Sequence, residues 1–206
     1  MVLAGAFAIV LFVGLIVGDW MYFARLSSDA CRYGYGIGQV QDQYASLAVQ
    51  KLVRHFDTNG FLSLPHGVAR VFPSANRMMI RPTHRLFSMR FRTAWPLKGS
   101  IEWASEPDGL TLICTKRVPW SSSIITFLWF SLVGFGTLGF LLTYLIQGGF
   151  ESLGGLLLGV GVTGVGLIVV AFGLLTVTVA YRIENTRLMQ VYTELRAVVL
   201  DGTGSA

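Results

Sequence analysis

The stretch from Ser152 to Tyr181, SLGGLLLGVGVTGVGLIVVAFGLLTVTVAY, decides the fold class. Its 30 residues carry no charge. A helix needs about 20 apolar residues to cross the hydrocarbon core of a bilayer. Two more uncharged runs stand beside it, Val118–Phe150 with 33 residues and Val2–Gly18 with 17. The first run is short alone, but Trp20, Met21, Tyr22 and Phe23 follow Asp19 before Arg25, so the apolar length is adequate through Phe23. Trp20 and Tyr22 then stand where interfacial aromatics belong. No Lys or Arg precedes this run and no Ala-x-Ala site follows it, so it reads as a retained helix rather than a cleaved signal.

Composition supports the same class. Of 206 residues, 53% are hydrophobic and 13% charged, with a mean hydropathy of +0.60. A soluble domain carries about a quarter charged residues. A chain this apolar also cannot stay solvated as a disordered one. Two cysteines exclude a disulfide scaffold and a four-cysteine zinc site. The expected fold is therefore an integral membrane protein, mainly α, with three transmembrane helices and a small α+β extramembrane domain between helices 1 and 2. The divisions are 1–23 for the first helix, 24–117 for the domain and 118–147 for the second helix. The third helix takes 150–181, and 182–206 an amphipathic extension and tail.

Basic residues near the membrane give an orientation. The amino end and the turn Gln147-Gly148-Gly149-Phe150 hold no Lys or Arg, whereas Arg25, Arg32, Lys116, Arg117, Arg182, Arg187 and Arg196 all fall on the other side of three spans. Residues 20–117 hold 13 basic and 6 acidic residues, a balance of +7 within a net charge of +5. That face is expected to be cytoplasmic, with the amino terminus outside and the chain in a bacterial inner membrane. An anionic leaflet is the expected partner of this charge, not nucleic acid.

Within 24–117, Val40, Tyr44, Leu47, Lys51, Leu52 and Phe56 are spaced for an amphipathic helix over about Gln39–Phe56. Asp57-Thr58-Asn59-Gly60 reads as a turn, since the later oxygen ligands and closing Glu of a calcium loop are missing. From Val68 the period becomes two. Strands are expected at Val68–Phe72, Met78–Ile80, Phe87–Thr93, Ile101–Trp103 and Leu110–Thr115. Arg77, Arg81, Arg85, Arg90 and Arg92 then form a candidate surface for anionic lipid or an acidic partner. A solvated sheet face obeying the positive-inside bias is the plainer account of them.

Catalytic signals are absent. Gly34-Tyr35-Gly36-Ile37-Gly38 lacks the spacing, the Lys and the preceding strand of a phosphate loop, and reads as a flexible link. His55, His66 and His84 with Cys31 and Cys114 match no ligand spacing. No nucleophile motif is present, so the chain is expected to be neither an enzyme nor a metal protein. The apolar runs contain no histidine, and no cofactor is expected through axial histidine ligands. Lipids, or pigments held by a partner, could still pack against Phe127, Trp129, Phe130, Phe135 and Phe140. The last two spans lack the ionisable residues that mark ion paths. Asp19 is the exception, as an interfacial carboxylate or an ion pair with a partner subunit.

Glycine points instead to packing. Twelve of 24 glycines lie within Gly134–Gly173. Gly155, Gly159, Thr163, Gly166 and Gly173 share one face of the third helix, and Gly154, Gly161 and Gly164 lie roughly opposite. Small residues let helices approach where lipid supplies no hydrophobic drive. Beyond Tyr181, Leu188, Tyr192, Leu195 and Val199 keep a three-and-four spacing, an apolar stripe that requires a surface. The expected function is a non-catalytic accessory, stabilising or assembly subunit of a larger membrane complex, energy-transducing (respiratory or photosynthetic), with other integral membrane subunits as partners. A self-standing module on anionic lipid is the alternative reading, and a transporter or enzyme with an unrecognised site the third.

Overall fold

A computed structural model describes residues 2–44, 52–83, 93–106 and 109–201 of the chain. Helix α1 spans Val2–Ala24 and the short α2 spans Ser28–Cys31. Six strands follow: β1 Tyr35–Tyr44, β2 Phe61–Ser63, β3 Gly67–Phe72, β4 Arg77–Pro82, β5 Lys98–Glu106 and β6 Gly109–Val118. Helix α3 covers Trp120–Ile146, and α4 runs unbroken for 49 residues from Leu153 to Asp201. α1, α3 and α4 are each long and apolar enough to cross a membrane. The chain divides into two compact units, Met1–Ser121 with Ile183–Ala206, and Ser122–Arg182.

In the first unit the strands form one antiparallel sheet in the order β1-β6-β5-β4-β3-β2. Alternation sends every second side chain to one face. There Ala69, Val71, Met78, Ile80, Ile101, Trp103, Leu110, Leu112 and Cys114 build a buried core. The end of α4 closes it with Leu188, Val191, Tyr192, Leu195 and Val199, none more than 3% exposed. The expected amphipathic extension thus finds its surface on its own domain. Tyr192 Oη donates to Asp42 Oδ2 at 2.7 Å, fixing the helix across β1. The opposite face of the sheet carries Arg70, Arg77, Arg81, Lys98, Ser100, Glu102 and Arg117 and receives the end of α1 together with α2.

Strands β3, β4, β5 and β6 cover the expected ones at 68–72, 78–80, 101–103 and 110–115. The expected strand at 87–93 and the arginines 85, 90 and 92 fall largely on residues outside those described. The expected helix over 39–56 is corrected: residues 39–44 belong to β1, which also absorbs the glycine-rich segment read as a flexible link. Val40 and Tyr44 are four apart, a separation that a helix and a strand face both satisfy. Pairing with β6 decided the outcome, with Val40 against Cys114 and Tyr44 against Leu110. Leu52 and Val53 are helical; 45–51 lie outside the described residues.

The second unit is a helical hairpin. Its turn uses Gly148 at φ +69°, and Tyr144 Oη donates to Gly155 O at 3.1 Å across it.

Leu195 is one of the five α4 side chains buried in the core against the sheet. Leu195→Ala is expected to cost about 2–5 kcal/mol through lost burial and the cavity left behind. Thermal unfolding of the detergent-solubilised protein, with Leu174→Ala as an exposed control in the same helix, checks this.

Candidate functional site

A helix ends with four carbonyls that have no partner within it. At the end of α1 these groups meet cations from the sheet. Lys98 Nζ donates to Phe23 O at 3.1 Å and to Ala30 O at 2.5 Å. Arg81 Nη1 donates to Ala24 O at 2.5 Å, and Arg70 Nη1 donates to Leu26 O. Cations here also complement the negative end of the helix dipole. The Lys98 ammonium lies 4.2 Å from the Phe23 ring centroid, and the Arg70 guanidinium lies over Phe61 and Phe72. Strands β4 and β5 thus hold the helix end, and β3 the link that follows it.

A second set of bonds is centred on Asp19, one turn earlier. Its carboxylate accepts from Tyr33 Oη at 2.5 Å, from Ser121 N at 3.0 Å and from Ser121 Oγ at 2.5 Å. Ser121 lies in the first turn of α3, so Asp19 satisfies one of that turn's open N–H groups from a distant part of the chain. Asp19, read as an interfacial carboxylate or an ion pair with a partner subunit, is engaged inside the chain by Tyr33 and Ser121. The bond to Asp19 raises the Tyr33 hydroxyl to about pKa 12. Gly34, at φ +107°, is enforced nearby: a Cβ there would sit 2.5 Å from Val118 O and 2.8 Å from the Phe23 ring.

The candidate arginine surface resolves in part. Arg77 and Arg81 share one face of β4, but Arg81 is spent on α1. Arg77 and Arg32 flank Glu102, at 3.3 Å and 2.6 Å, and Arg32 is bidentate. Among the candidate ligands, His66 bonds Glu194 and His55 lies in the turn after Val53. His84 falls outside the described residues. Cys31 and Cys114 are free and buried on opposite faces of the sheet, the first beside Ser100 Oγ at 3.3 Å, the second in the core. Burial raises both thiols, Cys114 to about 12. Among the described residues no three His, Cys, Asp or Glu side chains gather as a metal site.

Sequence reasoning missed Lys98, Arg70, Tyr33 and Glu184. Glu184 is fully buried on α4, where its Oε1 accepts from Arg187 at 2.9 Å and Thr93 at 3.1 Å. The only sequence signal for Lys98 and Arg70 was a cation excess close to a helix end.

Within the hairpin the two glycine faces differ. A Cβ on Gly166 would lie 2.4 Å from Thr137 Oγ1, and one on Gly173 2.3 Å from Trp129. One on Gly159 would lie 2.3 Å from Phe150, and one on Gly155 1.8 Å from Gly149 O. Thr163 lies on this face and donates to Gly159 O at 2.7 Å. On the other face, Gly154, Gly161 and Gly164 have no neighbour within 4 Å in the hairpin. Phe127 and Phe135 of α3 are 71% and 72% exposed.

Burial lowers the Lys98 ammonium to about pKa 8 from 10.5. Between these values the unfolded chain holds a proton that the folded chain does not, so this residue's contribution to stability rises with pH across that window. Relative to Lys98→Met, the wild type is expected to gain stability as pH rises through 8, measured as the difference in unfolding temperature on either side of pH 8. A difference independent of pH would show that Lys98 does not titrate there. No protein family, curated protein or solved structure matches the chain.

Proposed function

We propose that this protein is a non-catalytic accessory or assembly subunit of a larger membrane complex, and that the Gly154, Gly161 and Gly164 face of α4 receives a transmembrane helix of a partner subunit. One observation carries the reading: the hairpin closes one glycine face on itself and leaves the other without a neighbour of its own. Close approach of backbones is what such a face is suited to in lipid. The spans between Trp120 and Tyr181 carry no ionisable residue other than Glu151 in the turn, which weighs against an ion path.

The host we propose is an energy-transducing assembly, respiratory or photosynthetic, in a bacterial inner membrane. Helices without ligands of their own would complement partners that hold redox groups or pigments, with lipids filling the aromatic face of α3. The basic sheet unit would lie on the cytoplasmic side with the amino terminus outside, following the bias of Lys and Arg. An arginine face for anionic lipid is the weaker reading, because Arg77 and Arg81 are both engaged inside the chain.

Paired substitutions separate the two glycine faces. Gly161→Leu with Gly164→Leu is expected to leave the hairpin folded and remove co-purification of partner subunits after mild-detergent extraction. Gly166→Leu with Gly173→Leu is expected to unfold the hairpin itself, since each added side chain collides with α3. Undiminished co-purification of the first double variant would contradict the proposed face.

A further inference from the structure

The six strands are complete at Val118, but the surface that closes their core face comes later in the chain. Leu188, Val191, Tyr192, Leu195 and Val199 lie on α4, reached only after α3 and the turn that follows it. Without them Val71, Met78, Ile80, Ile101, Trp103 and Leu112 would stand open on one side of the sheet. The opposite side is met by α1 and α2, which precede every strand. The seat for α4 is close, since a Cβ on Gly67 would lie 2.5 Å from Val191.

The core face is not uniformly apolar. Asp42 stands on it opposite Leu112, and Lys116 stands on it between Gly38 and Gly99 in the ladder. Lys116 is only 9% exposed. The partners of both charges arrive with α4. Lys116 Nζ donates to Asn185 Oδ1 at 2.7 Å. Asp42 Oδ2 accepts from Tyr192 Oη at 2.7 Å and lies 3.5 Å from Arg196 Nη1. At the β2–β3 turn, His66 N donates to Glu194 Oε2 at 3.0 Å. A charge buried without a partner is costly. A helix with the same apolar stripe but without Asn185, Tyr192 and Arg196 would cover Lys116 and Asp42 and leave them without these bonds. The match is therefore specific to this segment as well as apolar.

We infer that residues 183–201 are a completion latch: the core face of the sheet stays open while α3 and the hairpin are made, and it closes only on this matched segment. The sheet unit and the last long helix are thereby finished together. A chain halted within the hairpin displays an open apolar sheet, the kind of surface that chaperones and proteases act on. This inference stands independently of the proposed subunit role.

The buried thiols give the readout. Cys114 lies on the core face and is 1% exposed. Chains are arrested on ribosomes in the presence of native membranes after Arg182 or after Ala206, each followed by a linker that clears the exit tunnel. They are treated with PEG-maleimide, and modified thiols are counted by gel shift. Cys31→Ser assigns the shift to Cys114, with the wild type run in parallel. The expected result is modification of Cys114 in the arrest after Arg182 and protection in the arrest after Ala206. Asn185→Leu with Tyr192→Phe, which keeps the apolar stripe and removes the polar match, is expected to lose that protection after Ala206. Cys114 protected after Arg182, or still modified after Ala206, overturns the order of closure. Full protection in the double variant overturns the matched latch.

Discussion

The structure depends on how the carbonyl end of α1, a helix long and apolar enough to cross a membrane, is met by the sheet. Phe23 and Ala24 present oxygens that α1 cannot satisfy and Leu26 another in the link that follows, and the chain answers with Lys98, Arg81 and Arg70 from three adjacent strands. A hydrogen bond from a charged donor contributes about 1.5–3 kcal/mol. Two of them on the helix end and a third on the link beyond it fix α1 to the sheet. Asp19 then ties the same helix to Tyr33 and to the first turn of α3. The join between α1, the sheet and the start of α3 is thus built from charged side chains bonded to backbone groups and to the hydroxyls of Tyr33 and Ser121.

This changes the meaning of the positive charge. A basic loop beside a membrane invites a reading as a lipid-binding face. Here several of the cations are aimed inward at helix ends and loop carbonyls, Arg117 on Gly34 O included. The face of α4 at Gly154, Gly161 and Gly164 is the surface we propose for a partner helix.

Much of this was legible in the sequence. The three apolar helices follow from uninterrupted hydrophobic length, and the amphipathic end of α4 from Leu188, Tyr192, Leu195 and Val199, because helical spacing over four turns has no rival explanation. Strands β3 to β6 followed from alternation. β1 did not. Its glycines suppressed strand propensity, and Val40 with Tyr44 fitted either period, so only pairing with β6 could decide. The cap on α1 was illegible for a different reason. Lys98, Arg81 and Arg70 are brought to Phe23, Ala24 and Leu26 by strand order, and no local pattern encodes which carbonyl a distant cation will find.

The central claim is that the chain works as a part of something larger. Its most direct test is mild-detergent extraction from the native membrane, native-gel separation, and mass spectrometry of the band that contains the chain. The account predicts co-migration with a defined set of integral membrane subunits at a mass far above the 22.6 kDa chain with its detergent. Migration of the chain alone, under conditions that keep other membrane complexes intact, would contradict it.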